Sequence, residues 1–320
     1  HAMAGGPPAI QAGEPDMSVP QGPAERKDAV GGTGRGRLRL GYGTNGMGDH
    51  RLTDALALLA DLGYDGVALT LDHHHLDPFG PGLARRVAAV ARRLDRLGLA
   101  AVIETGARYL LDPRQKHQPT LLDDDEDRRL RRLDLLHRAI AIGADLGAEA
   151  VSFWSGTLRT PSGSRAAAWE RLVTACSELA TLARRSGVRL GLEPEPGMLV
   201  ETIADWQRLV AELGGPQRLG LTLDIGHCRC LEPEPEAACV RACAPWLATV
   251  QIDDMRRGVH EHLPFGCGEV DLPAVLAALR EARYPGLVSV ELPRHGHSAP
   301  ALAEQSLRAL RQAESEVLVP

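Results

Sequence analysis

The sequence lacks three features that define common classes of protein. No apolar run approaches the roughly 18 residues of a membrane-spanning helix, and the six cysteines include no C-x-x-C pair. The formal net charge is -6 and the pI about 6.1, so no basic excess is present to attract a nucleic-acid backbone. We therefore expect a cytoplasmic protein with reduced thiols and with neither a membrane nor a nucleic acid as its partner.

Composition divides the chain near residue 36. Residues 1–36 are rich in glycine, proline and charge without an apolar period, as in Gly31-Gly32-Thr33-Gly34-Arg35-Gly36. This composition predicts a flexible tail, and its opening His1-Ala2-Met3 is interpreted as a cloning remnant rather than as part of a signal peptide. Residues 37–320 are predicted to form one domain.

In this domain short apolar runs alternate with longer amphipathic segments. The runs are Leu38–Tyr42, Gly66–Leu71, Ala100–Ile103, Ala150–Trp154, Arg189–Leu192, Gly220–Leu223, Ala248–Ile252 and Leu287–Val290. The helical segments are Leu52–Leu62, Leu83–Leu97, Arg132–Leu146, Ala166–Arg185, Ile203–Leu213, Ala237–Ala244, Leu272–Ala282 and Ala301–Arg311. Strands that are each followed by a helix, over about the 250 residues typical of this architecture, predict an α/β protein with a single (β/α)8 TIM barrel.

Polar residues end the last four predicted strands. Glu193 ends the fifth, Asp224 the sixth, Gln251 lies in the seventh and Glu291 follows the eighth. Active sites of such barrels form where the strands end, and three buried carboxylates there would repel one another without a cation. An oxygen-rich set of this kind predicts one divalent metal, Mn²⁺ or Mg²⁺, with Co²⁺ or Zn²⁺ as alternatives.

The same segments resemble those of a known superfamily. They are Leu192-Glu193-Pro194, Leu223-Asp224-Ile225-Gly226-His227, Val250-Gln251-Ile252-Asp253-Asp254, Gly266-Cys267-Gly268-Glu269-Val270-Asp271 and Tyr284-Pro285-Gly286-Leu287-Val288-Ser289-Val290-Glu291. From about Leu38 to Arg311 the chain is similar to the xylose-isomerase-like TIM barrels, which include sugar isomerases and epimerases, hydroxypyruvate isomerase, inosose dehydratase and endonuclease IV. Ketose epimerases of this superfamily usually have histidine as the third ligand, and Gln251 instead resembles the hydroxypyruvate-isomerase pattern.

The resemblance implies a reaction as well as a fold. It implies an isomerase or epimerase of a small sugar, sugar acid or cyclitol ketone, which transfers a proton next to a carbonyl through a metal-stabilised enediolate. Glu193 and Glu291 would be both metal ligands and the acid/base pair. The alternatives are a metal-dependent dehydratase of the inosose type, an endonuclease IV-like phosphodiesterase and a non-catalytic sugar-binding barrel. A homo-oligomer is compatible with the sequence, although no apolar stripe identifies an interface.

Further residues are candidates for contacts with a carbohydrate-like substrate. They are His227, Arg257, His262, Glu104, Trp154 and His73. By the resemblance, His227 and Arg257 would touch substrate oxygens, although His227 could instead cap the next helix. Trp154 could stack on a sugar or pack in the core. The runs Asp72-His73-His74-His75 and His260-Glu261-His262 either line the pocket or, with His227, hold further metal ions.

A long loop follows the third predicted strand. Residues 108–120 contain the cationic or titratable side chains Arg108, Arg114, Lys116 and His117, and an acidic run follows at Asp123–Asp127. We interpret this loop as a candidate lid whose basic residues could receive a phosphate or carboxylate. The alternative is a loop that is only solvated.

Overall fold

The computed structural model describes residues 37–158 and 164–318. The predicted tail and cloning remnant, residues 1–36, lie outside the described residues. Within the described part of the chain, no helix is both long enough and apolar enough to cross a membrane.

The described residues form ten strands. They are β1 (Arg39–Gly43), β2 (Gly66–Thr70), β3 (Ala100–Glu104), β4 (Val151–Trp154), β5 (Leu190–Glu193), β6 (Gly220–Asp224), β7 (Leu247–Ile252), β8 (Asp254–Arg256), β9 (Val259–Leu263) and β10 (Leu287–Val290). Eight of them close into a parallel barrel in the order β1-β10-β7-β6-β5-β4-β3-β2, while β8 and β9 form a separate antiparallel pair. The predicted (β/α)8 barrel is confirmed.

Helices cover the outside of the barrel. They are α1 (Leu52–Leu62), α2 (Leu83–Leu97), α3 (Glu126–Leu146), α4 (Arg165–Arg185), α5 (Ile203–Glu212), α6 (Ile225–Leu231), α7 (Glu236–Cys243), α8 (Leu272–Glu281) and α9 (Ala299–Leu318). The bounds of α1 and α2 agree with the sequence. Helix α3 begins six residues before the predicted Arg132, because Asp125 accepts a hydrogen bond from the Arg128 N–H and caps the helix ahead of its apolar period. The sequence prediction missed α6 and the β8–β9 hairpin.

The barrel interior changes from apolar to polar along the strands. Val102, Ala150, Ala248 and Leu287 form a small buried cluster of their own, from strands on opposite sides of the wall. Because side chains alternate across a strand, every second residue after these also points inward. This alternation predicts Glu104 and Glu291 on the inner face at the carboxyl ends of β3 and β10, and in β7 a register shift next to Ala248 precedes Gln251, which pairs with Asp224. Polar side chains therefore lie at one end of a barrel interior that is otherwise apolar.

The glycines of the first strand serve close packing. Gly41-Tyr42-Gly43-Thr44-Asn45-Gly46 has the Gly-x-Gly-x-x-Gly spacing of dinucleotide-binding sheets. Here, however, β1 leads into a four-residue 3-10 helix, Thr44–Met47, within a closed barrel. A Cβ at Gly41 would lie 2.7 Å from the Ser289 Oγ, so this glycine is needed for contact with β10.

Candidate functional site

The four predicted metal ligands lie together at the carboxyl end of the barrel. Glu193 and Asp224 are the last residues of β5 and β6, and Gln251 pairs in register with Asp224. Glu291 directly follows β10, and its N–H donates to the Ile252 carbonyl. Glu193, Asp224 and Gln251 are 5%, 2% and 3% exposed. Four oxygen-bearing side chains thus converge from neighbouring strands, three of them buried and Glu291 partly buried.

Three of these side chains present an oxygen without a hydrogen-bond partner. Asp224 Oδ1 accepts from the His227 N–H at 2.9 Å, and Glu291 Oε1 accepts from Asn45 Nδ2 at 2.9 Å. The second oxygens, Asp224 Oδ2 and Glu291 Oε2, and also Gln251 Oε1, are buried without such a partner. Unsatisfied buried oxygens are destabilising. Each carboxylate is therefore oriented through one oxygen and leaves the other for a ligand, which fits a divalent cation.

The pKa shifts of the acidic residues at the site also favour a bound cation. Burial, followed by the negative charges of Glu195 and Glu291, raises the pKa of Glu193 well above its usual value. Burial also raises the pKa of Glu291. For Asp224 burial acts in the same direction, but the neighbouring His227 and His262 outweigh it and lower the pKa. A cation would relieve the repulsion within this group.

Three histidines adjoin the carboxylates. The Nε2 atoms of His227 and His260 are 3.1 Å apart, and one nitrogen from each of His227, His260 and His262 lies within 4.8 Å of the others. His227 Nδ1 is 3.4 Å from Glu193 Oε1, and His262 Nδ1 is 2.5 Å from Asp253 Oδ2. Asp253 outweighs the effect of burial and raises the pKa of His262 to about 10. This group could hold a second metal ion or bind substrate oxygens.

The hairpin that carries two of these histidines is anchored by one carboxylate. Asp254 Oδ2 accepts from the N–H groups of Gly266 and Gly268, both at 2.8 Å, and its Oδ1 accepts from the Val270 N–H at 3.0 Å. A Cβ at Gly268 would lie 2.6 Å from the Met255 nitrogen. The Gly266–Val270 turn is therefore tied to β8, which fixes the path of β9 and the positions of His260 and His262.

A cavity of about 380 Å³ opens at this end of the barrel, a size that suits a small molecule. Six of the ten predicted catalytic, metal and substrate residues line it: Glu104, Trp154, Glu193, Gln251, His262 and Glu291. Asp224 and His227 are buried next to Glu193 and do not line the cavity. Most of the predicted site is thus assembled around one small chamber.

Two predicted contact residues lie elsewhere. Arg257 is exposed; its guanidinium donates to the Glu232 carbonyl and its N–H donates to Glu269. His73 is exposed and pairs with Asp72 at 2.8 Å, whereas the next two residues of the run, His74 and His75, line the cavity. Neither Arg257 nor His73 lines the cavity.

Glu104 and Trp154 form one wall of the cavity. Glu104 is buried with its Oε1 unpaired, and burial, followed by repulsion from Glu291, raises its pKa well above the usual value. The indole of Trp154 contacts the His117 ring, whose centroid is 5.2 Å away, and the Arg132 guanidinium, 4.6 Å from the indole centroid. Glu104 is therefore suited to donate a hydrogen bond to a ligand, beside an aromatic surface that is held in place.

Several lining residues were not predicted to belong to the site. They include Asn45, Asp49, Glu195 and Arg294. Asn45 and Arg294 each follow a barrel strand within a few residues, which is a usable sequence signal. Glu195 lies two residues after Glu193 in the printed sequence, and its Oε1 is 3.6 Å from His260 Nε2.

Arginines of the outer helices hold the long loop after β3. The buried Arg132 donates to the Pro119 carbonyl at 2.8 Å and to the His117 carbonyl at 3.0 Å. Arg131 donates to the Leu111 carbonyl, and Arg171 to the Leu122 carbonyl at 3.1 Å. His117 itself adopts a left-handed backbone, φ 62°, a conformation that neighbours must enforce in a non-glycine residue. The loop is thus fastened rather than only solvated.

Replacing Arg132 by alanine should loosen this loop. Two carbonyls would lose their donor and Trp154 its stacking partner, so the free energy of unfolding should fall by about 2–4 kcal/mol in urea titrations. The matched control is Arg129→Ala, because Arg129 is only half-buried and donates to the Asp123 and Asp124 carbonyls. If the free energy of unfolding fell by the same small amount in both variants, Arg132 would not hold the loop.

A comparison with protein families agrees with this architecture. The model of the xylose isomerase-like TIM barrel matches residues 56–313. The chain belongs to the xylose isomerase-like TIM barrel family. The match spans every strand of the barrel except β1.

Curated members of this family are distant in sequence. The L-ribulose-5-phosphate 3-epimerase of Shigella flexneri serotype 5b is 24% identical over 242 residues, which cover 75% of this chain and 81% of that protein. The rhizopine catabolism protein MocC of Rhizobium meliloti is 28% identical over 273 residues, covering 76% of this chain and 75% of that protein. Both alignments extend over most of the xylose isomerase-like barrel.

Solved structures share the same barrel. The 3-keto-D-glucoside 4-epimerase of E. coli superposes with a TM-score of 0.70 at 19% identity, over 86% of this chain and 100% of that one. At this identity the likeness concerns the fold.

Proposed function

We propose that the protein is a divalent-metal-dependent isomerase or epimerase of a small sugar, sugar acid or cyclitol ketone. One observation carries the proposal: the unpaired oxygens of Asp224, Gln251 and Glu291 converge with Glu193 at the mouth of a barrel whose cavity suits a sugar. The Shigella flexneri relative, an L-ribulose-5-phosphate 3-epimerase, supports the substrate class.

Glu193, Asp224, Gln251 and Glu291 would hold the metal. Their donor set of carboxylate and amide oxygens suits Mn²⁺ or Mg²⁺, with Co²⁺ or Zn²⁺ as alternatives. When bound, the ion would polarise the carbonyl and the neighbouring hydroxyl of the substrate and so stabilise the negative charge that develops there.

Glu193 and Glu291 would transfer the proton. They come from β5 and β10, which are separated in the barrel by β6 and β7, so they approach a ligand from two sides. One carboxylate takes the proton from the carbon next to the carbonyl, and the electron pair of the C–H bond becomes that of an enediolate. The other, protonated, returns a proton to the opposite face for epimerisation or to the neighbouring carbon for isomerisation.

The remaining cavity residues would orient the substrate. Trp154 offers a flat surface to the apolar face of a sugar. The buried Glu104 and His262 offer hydrogen bonds to hydroxyl groups, and Asn45 keeps Glu291 in position through its 2.9 Å hydrogen bond. Together these groups would fix which carbon faces the two carboxylates.

Product analysis tests the proposal. With Mn²⁺ in D₂O, a panel that includes L-ribulose 5-phosphate, L-ribulose and inosose should yield an epimer or isomer carrying deuterium at the reacting carbon. A dehydratase would instead form an absorbing enone, and an endonuclease-like enzyme would nick abasic duplex DNA. A substrate that binds without exchange, elimination or cleavage would contradict an enzymatic role.

The histidine group supports one rival. Because His227, His260 and His262 can converge on one ion, a multinuclear zinc site of the phosphodiesterase type is the second candidate. It predicts two or three zinc ions per chain by elemental analysis, whereas the isomerase predicts about one ion of Mn, Mg or Co.

A further inference from the structure

Three cationic side chains line the cavity from the loops that follow β3 and β10. Arg108 and Lys116 belong to the loop after β3, and Arg294 follows β10. Arg108 Nη2 donates to the Pro293 carbonyl at 2.6 Å, so the two loops meet above β1 and β2. Glu193 and Asp224, in contrast, come from β5 and β6. The three cations therefore come from other loops than Glu193 and Asp224, although Arg294 follows Glu291 by three residues.

The three cations line one cavity and form no ion pair within the described part of the chain. Burial, then the charges of Arg108 and Arg294, lowers the pKa of Lys116, and the charge of Glu195 partly opposes this effect. Within residues 37–158 and 164–318, no ion pair engages Arg108, Lys116 or Arg294. Like charges converge at a cavity wall only at a cost unless a ligand neutralises them.

The acidic residues that face the same cavity are engaged elsewhere or lie apart. Asp72 pairs with His73 and is 3.9 Å from His74 Nδ1. Glu195 Oε1 lies 3.6 Å from His260 Nε2, and within the described residues Glu195 forms no ion pair with Lys116, although its charge raises the pKa of Lys116. Asp49 lies beside His74, whose pKa its charge raises against the larger effect of burial. The cations thus remain available to an incoming anion.

We propose that Arg108, Lys116 and Arg294 form a subsite for an anionic group, a phosphate or a carboxylate, at the end of the substrate remote from the reacting carbon. This inference rests on the proposed function, because it assigns the far end of the same substrate. Arg108 is held in place by Pro293 and offers its remaining N–H donors, while Lys116 and Arg294 are free to close on the anion. The cavity of about 380 Å³ accommodates a ketose phosphate.

Calorimetric binding to the Glu193→Gln protein tests the subsite without turnover. L-Ribulose 5-phosphate should bind at least about tenfold more tightly than L-ribulose, and Lys116→Ala/Arg294→Ala should weaken the phosphate ester by about ten- to 100-fold. Affinity for neutral L-ribulose should stay within about twofold. Arg114→Ala is the matched control, because Arg114 is an exposed cation of the same loop that does not line the cavity.

Binding of a third ligand distinguishes a phosphate from a carboxylate as the anion of the substrate. A pentonate that binds more tightly than the phosphate ester, with the same dependence on Lys116 and Arg294, would identify a sugar acid as the substrate class. The subsite is overturned if neutral and anionic ligands bind equally, or if the double variant binds the phosphate ester as the control does. The subsite and the reaction can also be distinguished. If anionic ligands bind more tightly than neutral ones but the unmodified protein exchanges no substrate proton, the subsite is supported and the proposed reaction is contradicted.

Discussion

Glu193→Gln and Glu291→Gln should each slow deuterium exchange into the substrate by roughly 10²–10⁴-fold, the usual contribution of a positioned acid or base. Glutamine keeps a side-chain oxygen that can ligate a cation but cannot carry the transferred proton. The loss should therefore appear in kcat at saturating Mn²⁺, and the change in metal affinity should be smaller than the change in rate. Exchange is measured by mass spectrometry of the recovered sugar.

Glu170→Gln is the control for these two variants, because Glu170 is an exposed carboxylate on α4, outside the cavity. It should exchange at the rate of the unmodified protein. If the Glu193→Gln protein retained full exchange, Glu193 would not transfer the proton and could act only as a metal ligand. The same result for both variants would contradict the acid/base pair.

Asp224→Asn should separate metal binding from folding. Asp224 caps α6 by accepting the His227 N–H at 2.9 Å, and asparagine caps helices about as well as aspartate. The free energy of unfolding of the metal-free protein should therefore change by less than about 1 kcal/mol. Mn²⁺ affinity should fall by at least about 100-fold, because a charged ligand is lost, and the rise in melting temperature with Mn²⁺ should disappear.

Asp271→Asn provides the matched control. Asp271 caps α8 by accepting the Ala274 N–H at 3.1 Å and lies outside the cavity, so it tests the same substitution at a cap without a metal. It should keep the full response of the melting temperature to Mn²⁺. An Asp224→Asn protein that also kept this response would exclude Asp224 from the metal site.

The barrel and its polar end could be predicted because the signals are local. Short apolar runs specify the strands, and the polar residues that interrupt these runs at their carboxyl side are Glu193, Asp224 and Gln251. Parallel strands in a closed barrel bring these ends together without further information. The predicted convergence of the four ligand candidates therefore followed from topology alone.

The hairpin escaped prediction because its strands are short and carry no apolar alternation. Strand β8 spans Asp254–Arg256 and β9 spans Val259–Leu263, with Gly258 at φ 74° in the turn. Arg257 lies in this turn, so its distance of six residues from Gln251 says little about its position in space. The chain reverses there, and the guanidinium contacts the Glu232 carbonyl instead of the cavity.

Neighbouring residues in a loop cannot be distinguished by sequence pattern. In Asp72-His73-His74-His75 the backbone turns, which leaves His73 exposed while His74 and His75 line the cavity. Arg114 and Lys116 differ in the same way within the loop after β3. The arginines of α3 and α4 that fasten this loop help to set which of its side chains face the cavity.

The most direct test of the central claim is deuterium exchange by the metal-stripped protein, measured before and after Mn²⁺ is added back. With a ketose substrate in D₂O, we expect no exchange above background after chelation and restored exchange once about one equivalent of Mn²⁺ per chain is bound. Exchange that persists fully in the stripped protein, or that never appears with any metal across the sugar panel, would contradict metal-dependent proton transfer.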